Sequence, residues 1–211
     1  MPEETVRSVI LDVGNVLLDW DPRHLYRKIF LQEDGKPDEE RVAWFLENIC
    51  TQDWNIQQDL GRSIAAARAD LIARFPEWKV EIEIYHDRYD EMIPAAIETT
   101  VDCMTDLQAR GIPVHGLTNF SAEEFARTRQ RFDFLNRFDN VIVSGEEGLI
   151  KPDPRIFKIA IHRFELVPGS TLFVDDNNHN ICAARKIGFH VHHFTTPDGL
   201  RSNLEHLGLL A

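Results

Sequence analysis

Two rhythms alternate along the chain. Short strand-like segments occur at residues 6–13, 113–117, 141–143, 171–174 and 190–194, and the first, apolar and β-branched, reads as a buried strand. Elsewhere apolar residues recur every three or four positions, as in Val42, Phe45, Leu46 and Ile49, then Ile64, Ala67, Leu71 and Phe75, then Val101, Met104 and Leu107. That spacing predicts amphipathic helices. Further helices are expected from Ala122, from Pro154 to Phe164 and from Asn180 to Lys186. Gly35-Lys36-Pro37, Phe75-Pro76-Glu77, Gly111 and Gly188 mark breaks, and Asp21-Pro22 suits a helix start with Asp21 as cap. Val80 to Tyr85 alternates, yet no strand is assigned between residues 20 and 98. Strands alternating with helices imply right-handed βαβ units, hence an α/β fold with a parallel sheet. The early helical stretch reads as a lid inserted after the first strand, with no repeat or low-complexity tract.

Composition narrows the classes. A chain of 211 residues holds one core plus a modest second domain, and 43% hydrophobic with 27% charged residues is ordinary for a globular protein. The net charge of −12 argues against nucleic acid as a partner, because phosphate backbones select basic faces. A phosphorylated small molecule is still allowed, since a local metal and a lysine outweigh global charge within a site. Cys50, Cys103 and Cys182 are too few and scattered for a disulfide framework or a Cys-based metal site. The acidic Met1-Pro2-Glu3-Glu4 start does not read as a basic n-region followed by an apolar stretch, and no window reaches membrane-spanning length. A cytoplasmic protein without membrane partners is expected, as a monomer or homodimer.

The chemistry concentrates at strand ends. The first apolar run ends at Asp12 and the fourth at Asp175-Asp176. In open parallel sheets the carboxyl edge of the strands is where ligands bind. Carboxylates gathered there repel one another unless a cation or a shared proton compensates. A divalent metal beside a carboxylate nucleophile is the economical reading. Alone, Asp12 would merely cap a turn, and Lys151 would be a solvated lysine; the constellation changes both readings.

Four short motifs fall in order along the chain: Ile10-Leu11-Asp12-Val13-Gly14-Asn15, Gly116-Leu117-Thr118-Asn119, Lys151-Pro152-Asp153 and Phe173-Val174-Asp175-Asp176-Asn177, with Asn180 following. Together they resemble the haloacid dehalogenase superfamily of hydrolases, in the subfamily with a small helical cap after the first motif. The resemblance implies a Rossmann-like sheet of order 5-4-1-2-3, a core of residues 1–19 and 99–211, and an α-helical cap over 20–98. It also implies that Asp12 attacks phosphorus to give an aspartyl-phosphate. Mg²⁺ would be held by Asp12, the Gly14 carbonyl and Asp176; oxygen donors suit this ion. By the same resemblance Thr118 and the Asn119 backbone N–H would bind the phosphoryl group, with Lys151 offsetting its charge. Asp175 and Asn180 would support them. A small phosphorylated metabolite is the expected partner.

One position departs from the pattern. Phosphatases of the superfamily usually carry a second Asp two residues after the nucleophile, as proton donor to the leaving group; here that residue is Gly14. Bacterial glucose-1-phosphate phosphatase-like members share this lack, and a sugar anomeric phosphate has a better leaving group than an alkyl ester. Candidate substitute donors are Asp19, Asp21, Arg23, His24, Asp53 and His86. Trp20, Trp44 and Trp54 are candidates for a wall beside a sugar ring, with at least two of them expected in cap–core packing. His179 is expected to be exposed at a helix start, and His190, His192 and His193 to be ordinary strand residues. Two alternatives stand beside the phosphatase. A metal-independent 2-haloacid dehalogenase also lacks the second Asp, but that class has neutral residues where Asp175 and Asp176 stand. A non-catalytic phosphometabolite-binding protein is the other.

Overall fold

The computed structural model describes residues 5–211; the acidic Met1–Glu4 segment lies outside them. Five parallel strands, β1 (Ser8–Leu11), β2 (Val114–Thr118), β3 (Asn140–Val143), β4 (Thr171–Asp175) and β5 (His190–His193), form one sheet in the order β3-β2-β1-β4-β5. This is the order expected. Alternation across the pleat builds a three-layer molecule. Val9 and Leu11 of β1, with Leu172 and Val174 of β4, face one way. There they pack on Met104 and Leu107 of α6 (Glu98–Ala109) and Leu200 and Leu204 of α11 (Pro197–His206). Ile10 and Phe173 face the other way, onto Phe157 of α9 (Pro154–Arg163) and Ile181 of α10 (Asn178–Ile187). The sheet is thus covered on both faces, which is why β1 and β4 carry apolar runs.

Between β1 and α6 the described chain is helical: α1 (Arg23–Ile29), α2 (Glu39–Asn48), α3 (Gln52–Asp59), α4 (Ile64–Arg74) and α5 (Lys79–Asp87), with short 3-10 turns. Asp38, Thr51 and Ser63 cap α2, α3 and α4 through side-chain oxygens. The first helix starts one residue later than expected: Pro22 is its N-cap, while Asp21 still accepts from the Arg23 N–H at 2.8 Å. The helices enclose an aromatic centre, where Tyr26 contacts Phe45 at 4.7 Å and Trp54 meets Tyr85 edge-on at 5.0 Å between ring centroids. That apolar cluster extends to Phe120 and Phe125 beside the sheet, Phe125 on α7 (Ala122–Arg131). The chain enters and leaves this layer along two adjacent segments. The Asp19 N–H donates to Ala95 at 3.1 Å and the Ile97 N–H to Leu17 at 2.8 Å.

Candidate active site

The strand register brings the motifs together. Leu11 pairs with Gly116 on one side and Val174 on the other, so the residues after them, Asp12, Leu117-Thr118 and Asp175-Asp176, emerge from three adjacent strand ends. Asp12, Asp175 and Asp176 each present an oxygen within 4.8 Å of the others. This edge is the switch point of the sheet, where β1 is flanked by strands reached through opposite crossovers.

Lys151 is 2% exposed, and its ammonium has three oxygen neighbours. They are the Leu117 carbonyl at 2.8 Å, Asp175 Oδ2 at 2.7 Å and Asp12 Oδ2 at 2.8 Å. Burial opposes its charge, but Asp12 and Asp175 more than offset this, and its pKa is raised. The lysine is therefore a fixed cation. Its backbone is held by Asn119, whose side chain accepts from the Lys151 N–H at 2.8 Å and donates to the Lys151 carbonyl at 2.9 Å. The four-residue helix α8 (Ser144–Glu147) precedes this loop, and Asp153 caps α9 after it by accepting from the Arg155 N–H.

Asp175 is spent on structure. Its oxygens take Lys151, the Asn177 N–H at 2.8 Å and the Asn180 amide at 2.9 Å. Asp176 is less committed and faces Asn15, while His193 on β5 donates to the Asp176 carbonyl at 2.9 Å. Burial raises the pKa of Asp12 against the pull of Lys151, with Asp175 and Asp176 adding to the rise. Burial, then Asp175, raises that of Asp176. With all three carboxylates ionised, they exceed the one ammonium by two negative charges, the charge of one divalent cation. The donors are all hard oxygens, which fits Mg²⁺ and not a soft ion. A second signal points to an anion. The Thr118 hydroxyl is buried beside this cluster with no hydrogen-bond partner, and a buried hydroxyl left unpaired costs on the order of 1–3 kcal/mol.

Gly14, two residues after Asp12, has ordinary backbone and open space where a Cβ would point, so no steric demand explains the glycine. Asn15 carries the turn instead, in the left-handed region at φ 55° that Asn tolerates. A cleft of about 330 Å³ opens onto Gly14, Asn119 and Lys151, roofed by Trp20, Gln52, Asn55, Asp59 and Tyr89. A larger polar chamber of about 660 Å³ adjoins it, sharing Trp20, Gln52 and Asn55 and adding Asp19, Asp21, Glu47 and Asp53.

The sequence candidates for proton donor separate accordingly. Asp19, Asp21, Arg23 and Asp53 line the outer chamber; His24 is paired with Asp19 at 3.1 Å. His86 is buried against Glu124 at 2.9 Å and lines neither space. Trp20 alone of the three tryptophans reaches the cleft. Trp44 lies on Trp78, 45% exposed, and Trp54 is buried with its ring N–H on the Ala67 carbonyl. His179 is exposed at the start of α10, as expected, yet lines the cleft. Sequence reasoning missed Asp59, Asn55 and Tyr89. No local motif marks them, because only the docking of the helical layer brings them to the sheet edge.

Known proteins agree with this architecture. Residues 6–188 match the haloacid dehalogenase-like hydrolase family. The chain is 24% identical to the sesquiterpene phosphatase astK of Aspergillus oryzae, over 95% of both chains. A HAD family enzyme from Bacteroides thetaiotaomicron, solved with magnesium and inorganic phosphate, superposes with a TM-score of 0.66 at 19% identity, over 90% of this chain and 94% of that one. An L-2-haloacid dehalogenase from Xanthobacter autotrophicus superposes with a TM-score of 0.62 at 15% identity, over 95% and 83%. No described helix is long and apolar enough to cross a membrane. Family match, sheet order and the ordered strand-end motifs coincide: the chain belongs to the haloacid dehalogenase-like hydrolases.

Proposed function

We propose that the protein is a Mg²⁺-dependent phosphatase acting on a small phosphorylated metabolite with a polar, hydroxyl-bearing leaving group. The observation that carries this reading is the convergence of Asp12, Asp175 and Asp176 within 4.8 Å, two negative charges in excess of Lys151. A dehalogenase attacking carbon without metal has no use for those charges, and burying them uncompensated is costly.

In this reading Asp12, the Gly14 carbonyl and Asp176 hold the ion, and residues 20–98 form the cap. When bound, the ion supplies neutralisation of the phosphate dianion and of the nucleophile facing it. Thr118 donates its unpaired hydroxyl to a phosphoryl oxygen, beside the Asn119 N–H. Lys151 holds Asp12 in place and stabilises the charge that builds on the transferring group. The aspartate attacks phosphorus, the ester oxygen leaves, and water then cleaves the aspartyl-phosphate. The outer chamber supports the substrate class: Asp19, Asp21, Glu47 and Asp53, with Asn55 and Gln52, suit hydroxyl donors and not a terpenoid chain.

The experiment is a panel of phosphate esters assayed with Mg²⁺ and with EDTA, alongside 2-chloropropionate. Phosphate release that requires Mg²⁺ is expected. Halide release, or phosphate release unaffected by EDTA, contradicts the proposal.

A further inference from the structure

We infer that Asp59, contributed by the helical layer, is the proton donor to the leaving group, replacing the carboxyl that Gly14 lacks. The inference rests on the phosphatase reading above and adds the residue that completes its chemistry.

Position comes first. The cleft over the site is lined by Gly14, Asn119 and Lys151 from below and by Asp59, Trp20 and Tyr89 from the cap side. Among the described lining residues Asp59 is the sole carboxylate. It therefore lines, from the helical layer, the same cleft onto which Gly14 and Lys151 open.

The carboxyl is also held there. The Ser144 hydroxyl donates to the Asp59 carbonyl at 2.7 Å, and the Ser121 backbone N–H near the Asp59 carboxyl favours its charged form. Just beyond, Gly61 approaches the core so closely that a Cβ would lie 3.0 Å from the Gly145 carbonyl. Both contacts join this one turn of the cap to α8, directly after β3. A neutral carboxyl there has an O–H to donate to the substrate.

Its protonation state suits the task. Asp59 is the last residue of α3, at the negative end of the helix dipole, a place that favours a neutral carboxyl. Burial pushes its pKa up to about 7, against the Ser121 hydrogen bond and the attraction of Lys151. Titratable groups facing it are Lys151, His179 and Tyr89 in the cleft, and Tyr85 of α5. A donor near neutrality is what general acid catalysis requires.

The step balances simply. As Asp12 forms its bond to phosphorus, the bond from phosphorus to the ester oxygen breaks, and that oxygen takes the Asp59 proton to leave as an alcohol. In the second half the Asp59 carboxylate takes a proton from the attacking water, the bond from phosphorus to Asp12 breaks, and phosphate departs.

The test is leaving-group dependence. The kcat/KM for 4-nitrophenyl phosphate and for glycerol 2-phosphate is measured with saturating Mg²⁺, in the wild type, Asp59→Asn, Asp59→Glu and His179→Asn. We expect Asp59→Asn to lose ~10²–10⁴-fold on the alkyl ester and less than ~10-fold on the nitrophenyl ester, whose oxygen leaves without a proton. Asp59→Glu should recover part of the alkyl activity. A misfolded or undocked cap lowers both esters by one factor, so the ratio isolates the proton. Equal losses on both esters, or a selective alkyl loss in His179→Asn alone, would overturn the role of Asp59 while leaving the phosphatase reading intact. A wild type that hydrolyses neither ester overturns both.

Discussion

At the scale of single residues the site is an electrostatic balance whose members are unequally replaceable. Lys151 sits between Asp12 and Asp175 with no solvent to take its place. Removing one partner of a buried ionic group strands the others, at a cost of ~3–5 kcal/mol. Lys151→Met is accordingly expected to abolish phosphate release and to lower stability by roughly that amount in chemical denaturation; a variant of native stability would contradict the buried geometry. Asp59 has the opposite sign. Its carboxyl is raised from 3.8 to about 7 in the folded protein, so the neutral form's stabilisation is complete below pH ~4 and is lost as pH rises through about 7. In the metal-free protein Asp59→Asn should therefore be more stable than the wild type at pH 8, by on the order of 2 kcal/mol, with the gap closing towards pH 4. Thermal unfolding at both pH values checks the sign.

At the scale of elements, the parts fixed by local pattern were legible and the parts fixed by docking were not. The strands β1, β2 and β4 are wholly buried, and the apolar runs of β1 and β4 announced them. Residues 80–85 show why a two-residue alternation can mislead. They belong to α5, which buries Ile82, Tyr85 and His86 along one helical stripe and leaves Val80 63% exposed. The last helix, α11, was not anticipated, although Thr196 and Pro197 form a capped helix start. Asp12, Thr118, Lys151 and Asp176 could be found because each follows a strand or opens a crossover, whereas Asp59 owes its place to the approach of α3 to Gly145. The cap of α3 is thus a fair probe of that element. Thr51→Ala removes the acceptor of the Trp54 N–H and is expected to cost ~1 kcal/mol, read as a shift in the denaturant midpoint without a change in slope.

At the scale of the whole molecule, the sheet supplies a rigid edge carrying the charges, and the helical layer closes over it with the polar chamber. In the proposed reading a divalent cation compensates the three clustered carboxylates. Mg²⁺ at about a hundred times its dissociation constant should stabilise the protein by ~2.7 kcal/mol, and Asp176→Asn should remove most of that gain. Differential scanning calorimetry with and without Mg²⁺ reads both, and an equal gain in the variant would exclude Asp176 from the metal site. The most direct measurement is phosphate release by the wild type and by Asp12→Asn from the same phosphate-ester panel, each with Mg²⁺ and with EDTA. The account predicts turnover by the wild type with Mg²⁺ and by no other combination; full activity in Asp12→Asn, or turnover that survives EDTA, would contradict it.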